Sequence, residues 1–220
     1  MAGAPPIYVN YGCGSHAPQE WVNFDASPRL RLERVPLLGN IVGHTVGLVF
    51  PLHVRYGEIV AGLPIPSGAA AGVFCSHVLE HLPREDIAPA LAETLRILAP
   101  GGRFRLVVPD LAWRAAAYLE AAKAADPAAA DRFLNTCLLG TSARRHGILQ
   151  RLRHRYSLNA HRWMYDYAAM GSLLAGAGFI AIRRCQFGDA DDSFFAMVEE
   201  RGRFYTGEHP ELAIEARKPD

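Results

Sequence analysis

Gly12 and Gly14 flank a single residue directly after the apolar run Ile7-Tyr8-Val9-Asn10-Tyr11, and a second short run, Val22-Asn23-Phe24, ends on Asp25. A Gly-x-Gly turn at the end of a buried strand lets the backbone fold tightly and approach a ligand where a Cβ would collide. A carboxylate at the carboxyl end of the next strand can accept hydrogen bonds from ribose hydroxyls. Tyr11, Gly12, Cys13, Gly14 and Asp25 therefore carry the elements of an adenosine site. Gly12-Cys13-Gly14-Ser15-His16-Ala17 also fits the dinucleotide fingerprint, but such a site places its acid ~20 residues on, beyond a full helix whose N-terminus takes the pyrophosphate. Here ten residues separate Cys13 from Phe24, with Pro18 among them. That leaves room for roughly one or two helical turns. The spacing suits a cofactor without phosphate, and S-adenosylmethionine (SAM), which carries a carboxylate, an ammonium and a sulfonium, is one.

Further along, His77-Val78-Leu79-Glu80-His81 spells H-x-x-E-H, the inverted zincin pattern, in which two helical histidines hold zinc and the glutamate acts as base. A zinc hydrolase is thus an alternative from another class. Against it, His77 falls at the end of a strand rather than inside a helix, and no metal is assigned to the site. Ser76 and His77 close a strand where ligands of open α/β sheets bind; the other reading of His77 is a hydrogen bond that shapes the loop. Glu80 is expected to be a charge at a helix N-terminus, and His81 to point away. Cys13 reads as a small filler, since nothing nearby in sequence would lower its pKa. Asp110 ends a later strand, either as a candidate catalytic group in the crevice or as the cap of the helix starting at Leu111. His161 lies among Arg162, Trp163, Tyr165 and Asp166 and is the candidate general base, because an alcohol is a poor nucleophile until its proton leaves.

These residues need elements to hold them. Strands are expected at about 7–11, 21–25, 54–60 and 72–76, then a helix from Asp86 to Leu98, whose Ile87, Leu91, Leu95 and Leu98 recur at helical spacing. Pro100-Gly101-Gly102 ends it, and a strand follows from Arg103 to Val108. Helices at about 111–125 and 127–138 come next, and another from the Asp166 cap through Leu174. Last strands are expected at 179–185, 194–199 and 211–216. The alternation implies a mostly parallel sheet covered on both faces.

The blocks Glu58-Ile59-Val60-Ala61-Gly62-Leu63-Pro64-Ile65-Pro66, Gly72-Val73-Phe74-Cys75-Ser76-His77-Val78-Leu79-Glu80-His81-Leu82 and Leu98-Ala99-Pro100-Gly101-Gly102 follow the glycine loop and Asp25 in order. In this the chain resembles the class I SAM-dependent methyltransferases, and among them the small bacterial type 11-like enzymes found with surface-polysaccharide genes. The resemblance implies a Rossmann-like α/β fold with a seven-stranded, mostly parallel sheet and an antiparallel edge hairpin. It also implies Glu58 and Ile59 at the adenine, where the family more often has Asp in place of Glu58, and Ser76 and His77 at the methionine end. The acceptor it implies is a sugar or glycan hydroxyl. Alternatives are a small natural product or a peptide as acceptor, or a SAM-binding protein without turnover.

Composition agrees with one cytoplasmic domain over 1–220. Half of the residues are hydrophobic and 20% are charged, with a formal net charge of +1, which argues against a nucleic-acid binder. Four cysteines without C-x-x-C pairing read as reduced thiols, and the N-terminus shows neither a basic region nor an apolar core of a secretion signal. Between Asp131 and Asp166 there are seven arginines and no acid, and Ile148, Leu149, Leu152 and Tyr156 make 144–156 a basic amphipathic helix. Such a helix suits an anionic or lipid-linked acceptor and a peripheral membrane contact. The uncharged run 35–52 is expected to form a hydrophobic lid or to pack as core. The oligomeric state stays open.

Overall fold

A computed structural model describes residues 6–34, 50–139 and 160–220. Its strands are β1 (Ile7–Tyr11), β2 (Val22–Asp25), β3 (Arg55–Tyr56), β4 (Ala70–Ser76), β5 (Leu98–Val108), β6 (Ile180–Arg184), β7 (Tyr205–Thr206), β8 (His209–Pro210) and β9 (Leu212–Arg217). The helices are α1 (Pro28–Glu33), α2 (Ile87–Ile97), α3 (Leu111–Lys123), α4 (Ala129–Thr136), α5 (Tyr167–Gly176) and α6 (Arg201–Phe204). Seven strands form one sheet in the order β3-β2-β1-β4-β5-β9-β6. The pairs from β3 to β5 are parallel, and β9 runs antiparallel to both β5 and β6. β7 and β8 form a separate antiparallel hairpin. This is the Rossmann-like α/β sheet, mostly parallel and seven-stranded, that the resemblance implies. The strand order reverses between β1 and β4, so their carboxyl ends open a crevice.

Strand periodicity divides the interior in two. Val9 and Tyr11 of β1, Val73 and Cys75 of β4, and Phe104, Leu106 and Val108 of β5 face α2 and α5. The alternate residues Tyr8, Phe74 and Val107 meet Trp21, Phe195, Val198 and Phe204 on the other face. Alternating side chains thus bury both faces of each central strand. α2 turns its buried Ile87, Leu91 and Thr94 toward the sheet, and α5 starts where the Asp166 carboxylate accepts the Ala169 N–H at 2.8 Å.

Two expectations are corrected. The strand expected at 54–60 shrinks to Arg55–Tyr56, because Gly57 is pressed onto Phe24, where a Cβ would come within 2.6 Å of the ring, and the chain then turns through Glu58. The strand expected at 194–199 is instead a 3₁₀ turn at Ser193–Met197. There the Asp192 carboxylate caps the Phe194 N–H at 3.0 Å, and the Phe194 ring stacks on Tyr8 at 4.4 Å. Aromatic stacking and the cap override the β pattern of Phe194, Phe195 and Val198. The remaining elements fall within a few residues of expectation, except that β5 begins at Leu98, before Pro100-Gly101-Gly102. Among the described residues, no helix is long and apolar enough to cross a membrane.

Arg105 is the charge at the centre of the second layer. Its guanidinium donates to Glu199 at 2.8 Å, Glu215 at 2.7 Å and Asp189 at 2.9 Å, and is itself fully buried. It ties β5, β9 and the loop after β6 together. Removing one partner of such a buried network strands the others. Arg105→Met is therefore expected to lower unfolding stability by about 3–5 kcal/mol, read from urea denaturation; a loss within experimental error would show that the network contributes nothing net.

Candidate active site

The site begins where β1 stops. Gly12 takes φ +70° and Gly14 φ +59°. A Cβ on Gly12 would lie 2.0 Å from Val78 Cγ2, so only glycine lets the loop pass over the start of the next connection. The Gly12 and Cys13 amides both donate to the Phe24 carbonyl, at 2.8 and 3.2 Å. Beside it, the buried Asp25 carboxylate accepts the Gly14 N–H at 3.0 Å through one oxygen and the Ser27 N–H at 2.7 Å through the other. Ser27 in turn caps α1 through its hydroxyl, which accepts the Arg29 N–H at 3.2 Å.

These elements border a cavity of about 390 Å³ lined by Tyr11, Gly12, Asp25, Glu58, Ile59 and His77 from the candidate set. Its other walls include Ser27, His81, Leu82, Asp86 and Arg162, which motif reading did not assign to the cofactor. The volume falls in the range of small-molecule pockets. The residues fit SAM: the glycine cradle would be filled by any Cβ, and each Asp25 oxygen keeps a lone pair beyond its backbone bond for a ribose hydroxyl. Ile59 and Leu82 offer apolar contact to a base, with Glu58 exposed beside them.

Three of the cofactor candidates, Cys13, Gly14 and Ser76, and both catalytic candidates, Asp110 and His161, stand back from the cavity wall. Cys13 is fully buried with Leu30, Phe50 and Val54. Burial first, and Asp25 next, push its thiol up to about 12. Gly14 shapes the loop from behind, with the Arg203 guanidinium 3.4 Å from where its Cβ would be. Ser76 is buried and its hydroxyl has no hydrogen-bond partner. Asp110 caps α3, accepting the Ala112 N–H at 2.8 Å, and its second oxygen lies 3.5 Å from Arg184. The segment 35–52, expected as a lid or as core, falls outside the described residues apart from its end, where Phe50 is buried and Leu52 exposed. The basic amphipathic helix expected at 144–156 lies wholly outside them.

The H-x-x-E-H segment does not form a helical zinc site. His77 ends β4 at φ +54°, and Glu80 and His81 belong to a 3₁₀ turn, Leu79–His81. His77 Nε2 donates to the Arg203 carbonyl at 2.9 Å, and Nδ1 meets Glu80 Oε1 at 3.1 Å. Both partners are acceptors. Burial opposes a charged ring, but the Glu80 hydrogen bond and charge, with help from the Arg203 carbonyl, outweigh it and raise the His77 pKa. Glu80 does fall in the first turn of this 3₁₀ helix, but it is 0% exposed, and its Oε2 has no partner. Nor does His81 point away, since it lines the cavity.

His161 reaches this group from 80 residues further on. The Glu80 carbonyl accepts both the Arg162 N–H at 2.7 Å and the Trp163 N–H at 3.1 Å, which docks the segment against the 3₁₀ turn. The His161 and His81 rings then meet edge to face at 5.1 Å. Burial, aided by His81 against the charge of Glu80, lowers the His161 pKa, and its Nδ1 has no partner.

Residues 10–106 match a family described as a methyltransferase domain (Methyltransf_11). No curated protein matches the chain. A SAM-dependent methyltransferase structure from Archaeoglobus fulgidus superposes with a TM-score of 0.51 at 13% identity, over 97% of this chain and 86% of that one. The YcgJ protein from Bacillus subtilis gives 0.48 at 16%, over 98% and 92%. Human N-acetylserotonin methyltransferase in complex with SAM gives 0.47 at 16%, over 98% of this chain but 48% of its own length. The matched domain and the sheet order indicate a SAM-dependent methyltransferase, with SAM as its cofactor.

Two measurements check this geometry. Asp25→Ala should weaken SAM binding by about 1.5–3 kcal/mol in calorimetry, the cost of losing hydrogen bonds to a charged acceptor; unchanged affinity would remove Asp25 from the site. All four cysteines are buried, and burial raises the pKa of each, to about 12 for Cys185 as for Cys13. Ellman's reagent near neutral pH should therefore find no fast-reacting thiol in the folded protein, and one rapid equivalent would contradict that burial.

Proposed function

We propose that this chain transfers a methyl group from SAM to a hydroxyl of a sugar or glycan-type acceptor, as a single cytoplasmic domain serving surface-polysaccharide synthesis. The observation that carries the reading is the buried Nδ1 of His161, which has no partner, in a ring packed edge to face on His81, the member of the pair that lines the cavity. When bound, SAM supplies an electrophilic methyl group on a sulfonium. His161 would take the proton of the acceptor hydroxyl, leaving its oxygen as the nucleophile for the methyl group that SAM would supply, with the demethylated cofactor as leaving group. His81 and Glu80 hold the His161 ring in place. Because the transfer is an in-line displacement, much of the rate comes from positioning, for which a rigid wall of strand ends and a docked segment is suited.

The acceptor class is supported by the rim of the cavity. Arg162 lines it, and the neighbouring Trp163 is 47% exposed with the Arg84 guanidinium 6.0 Å from its ring centroid. An exposed indole beside cations offers a flat apolar face and hydrogen-bond donors, the combination that a pyranose or an anionic, lipid-linked glycan needs.

The test is a mass-shift screen of candidate glycans with SAM, in which a glycan should gain one methyl group and the demethylated cofactor should appear in equal amount. His161→Ala should lower that turnover by ~10²–10⁴ with SAM affinity near wild type. Methylation of amines or thiols alone would overturn the acceptor class, and full turnover in the variant would return His161 to a structural role.

A further inference from the structure

Glu80, His81 and His161 each present one ligand-type atom, and these three atoms lie within 4.8 Å of one another. Two of the three residues carry buried polar atoms that satisfy nothing in the protein: Glu80 Oε2, in a side chain with no exposure, and His161 Nδ1. A buried carboxylate oxygen without a partner is costly, and its usual resolution is a proton, a water or a cation. The third residue is already set as a ligand. His81 Nδ1 donates to the Ala160 carbonyl at 3.2 Å, which fixes the tautomer and leaves the Nε2 lone pair free, 3.9 Å from Glu80 Oε1. An outer hydrogen bond of this kind orients metal-bound histidines. Glu80 has the same support, since His77 Nδ1 holds its other oxygen at 3.1 Å.

We infer that Glu80, His81 and His161 form a site for one divalent transition-metal ion of the zinc class, set in the wall of the cavity. Two imidazoles and one carboxylate are the donor set of open catalytic zinc sites, and ligand bonds of about 2.0–2.2 Å require the three side chains to close in from their present spacing. The site differs from the H-x-x-E-H zincin reading, because His77 supports Glu80 from outside and His161, from a distant segment, replaces it as ligand. His81 is the member that lines the cavity, so an open fourth position there is available to an acceptor hydroxyl. A cation at that position lowers the hydroxyl's pKa, so its proton can pass to solvent, and the activation assigned above to His161 as base passes to the ion. That role rests on the methyl-transfer reading; the binding site does not.

Equilibrium dialysis of chelator-stripped protein against zinc chloride, with neither SAM nor acceptor present, tests the site. One zinc per chain is expected, with cobalt chloride giving the visible absorption of a low-symmetry, imidazole-bound ion. His161→Ala should bind zinc at least tenfold more weakly while its SAM affinity, measured separately, stays within twofold of wild type. Glu80→Gln is the second variant, with the same loss expected. Wild-type protein that binds SAM but takes up no stoichiometric zinc overturns the site, as does a featureless cobalt spectrum or unchanged zinc affinity in a SAM-binding His161→Ala. Zinc binding with no methylated glycan in the screen above keeps the metal site and sinks the acceptor reading instead.

Discussion

The buried Asp25 carboxylate is the constraint on which the site depends. One oxygen takes the Gly14 amide and the other the Ser27 amide, while the residue's own carbonyl accepts the Gly57 N–H at 3.2 Å. The glycine loop, the start of α1 and the turn after β3 therefore converge on one residue at the end of β2. An anion at 8% exposure is tolerable because charge-assisted bonds to backbone amides compensate its lost water. The arrangement leaves the Asp25 oxygens at the cavity wall, so the group that folds the loop is also the group offered to a ribose. Structure and recognition are coupled there by the same lone pairs.

A second convergence builds the opposite wall from distant parts of the chain. The Arg203 carbonyl holds His77, and its guanidinium donates to the Cys13 carbonyl at 3.1 Å, so α6 braces both the glycine loop and the end of β4. Arg114 donates to both oxygens of Glu211 at 2.7 Å, and the second of these also accepts the Asp110 N–H at 3.0 Å, which fixes the start of β9 beside α3. The late segments are thus clamps as well as sheet. They hold the strand ends steady without lining the cavity themselves, and His161 arrives through the Glu80 carbonyl in the same manner.

Much of this was legible in the sequence, and the exceptions share a physical cause. The glycine turn, Asp25 and the strand–helix alternation are local signals that give the sheet, and of the nine residues assigned to the cofactor six line the cavity, Glu58 and Ile59 among them through the resemblance alone. Phe194, Phe195 and Val198 read as a strand because what makes them a turn, the stacking of Phe194 on Tyr8 and Phe195 on Trp21 together with the Asp192 cap, involves partners distant in sequence or a cap outside the β pattern. Glu80 read as a charge at a helix N-terminus, and its burial was not legible because carboxylates are rarely buried without partners; its neighbours His77 and His81 were visible, but the docking of 162–163 on its carbonyl was not. Asp110 carried two readings at the sequence level, and its hydrogen bonds to the first turn of α3 show a cap. The H-x-x-E-H spelling, set aside as a zincin motif, does mark residues that come together, since His81 packs on a second imidazole, but from His161.

A structure of the protein soaked or co-crystallised with SAM tests the central claim most directly. The account predicts adenosine in the 390 Å³ cavity, with ribose oxygens within about 3 Å of the Asp25 carboxylate and the base against Ile59. SAM bound elsewhere, or a ribose that makes no contact with Asp25, would contradict it.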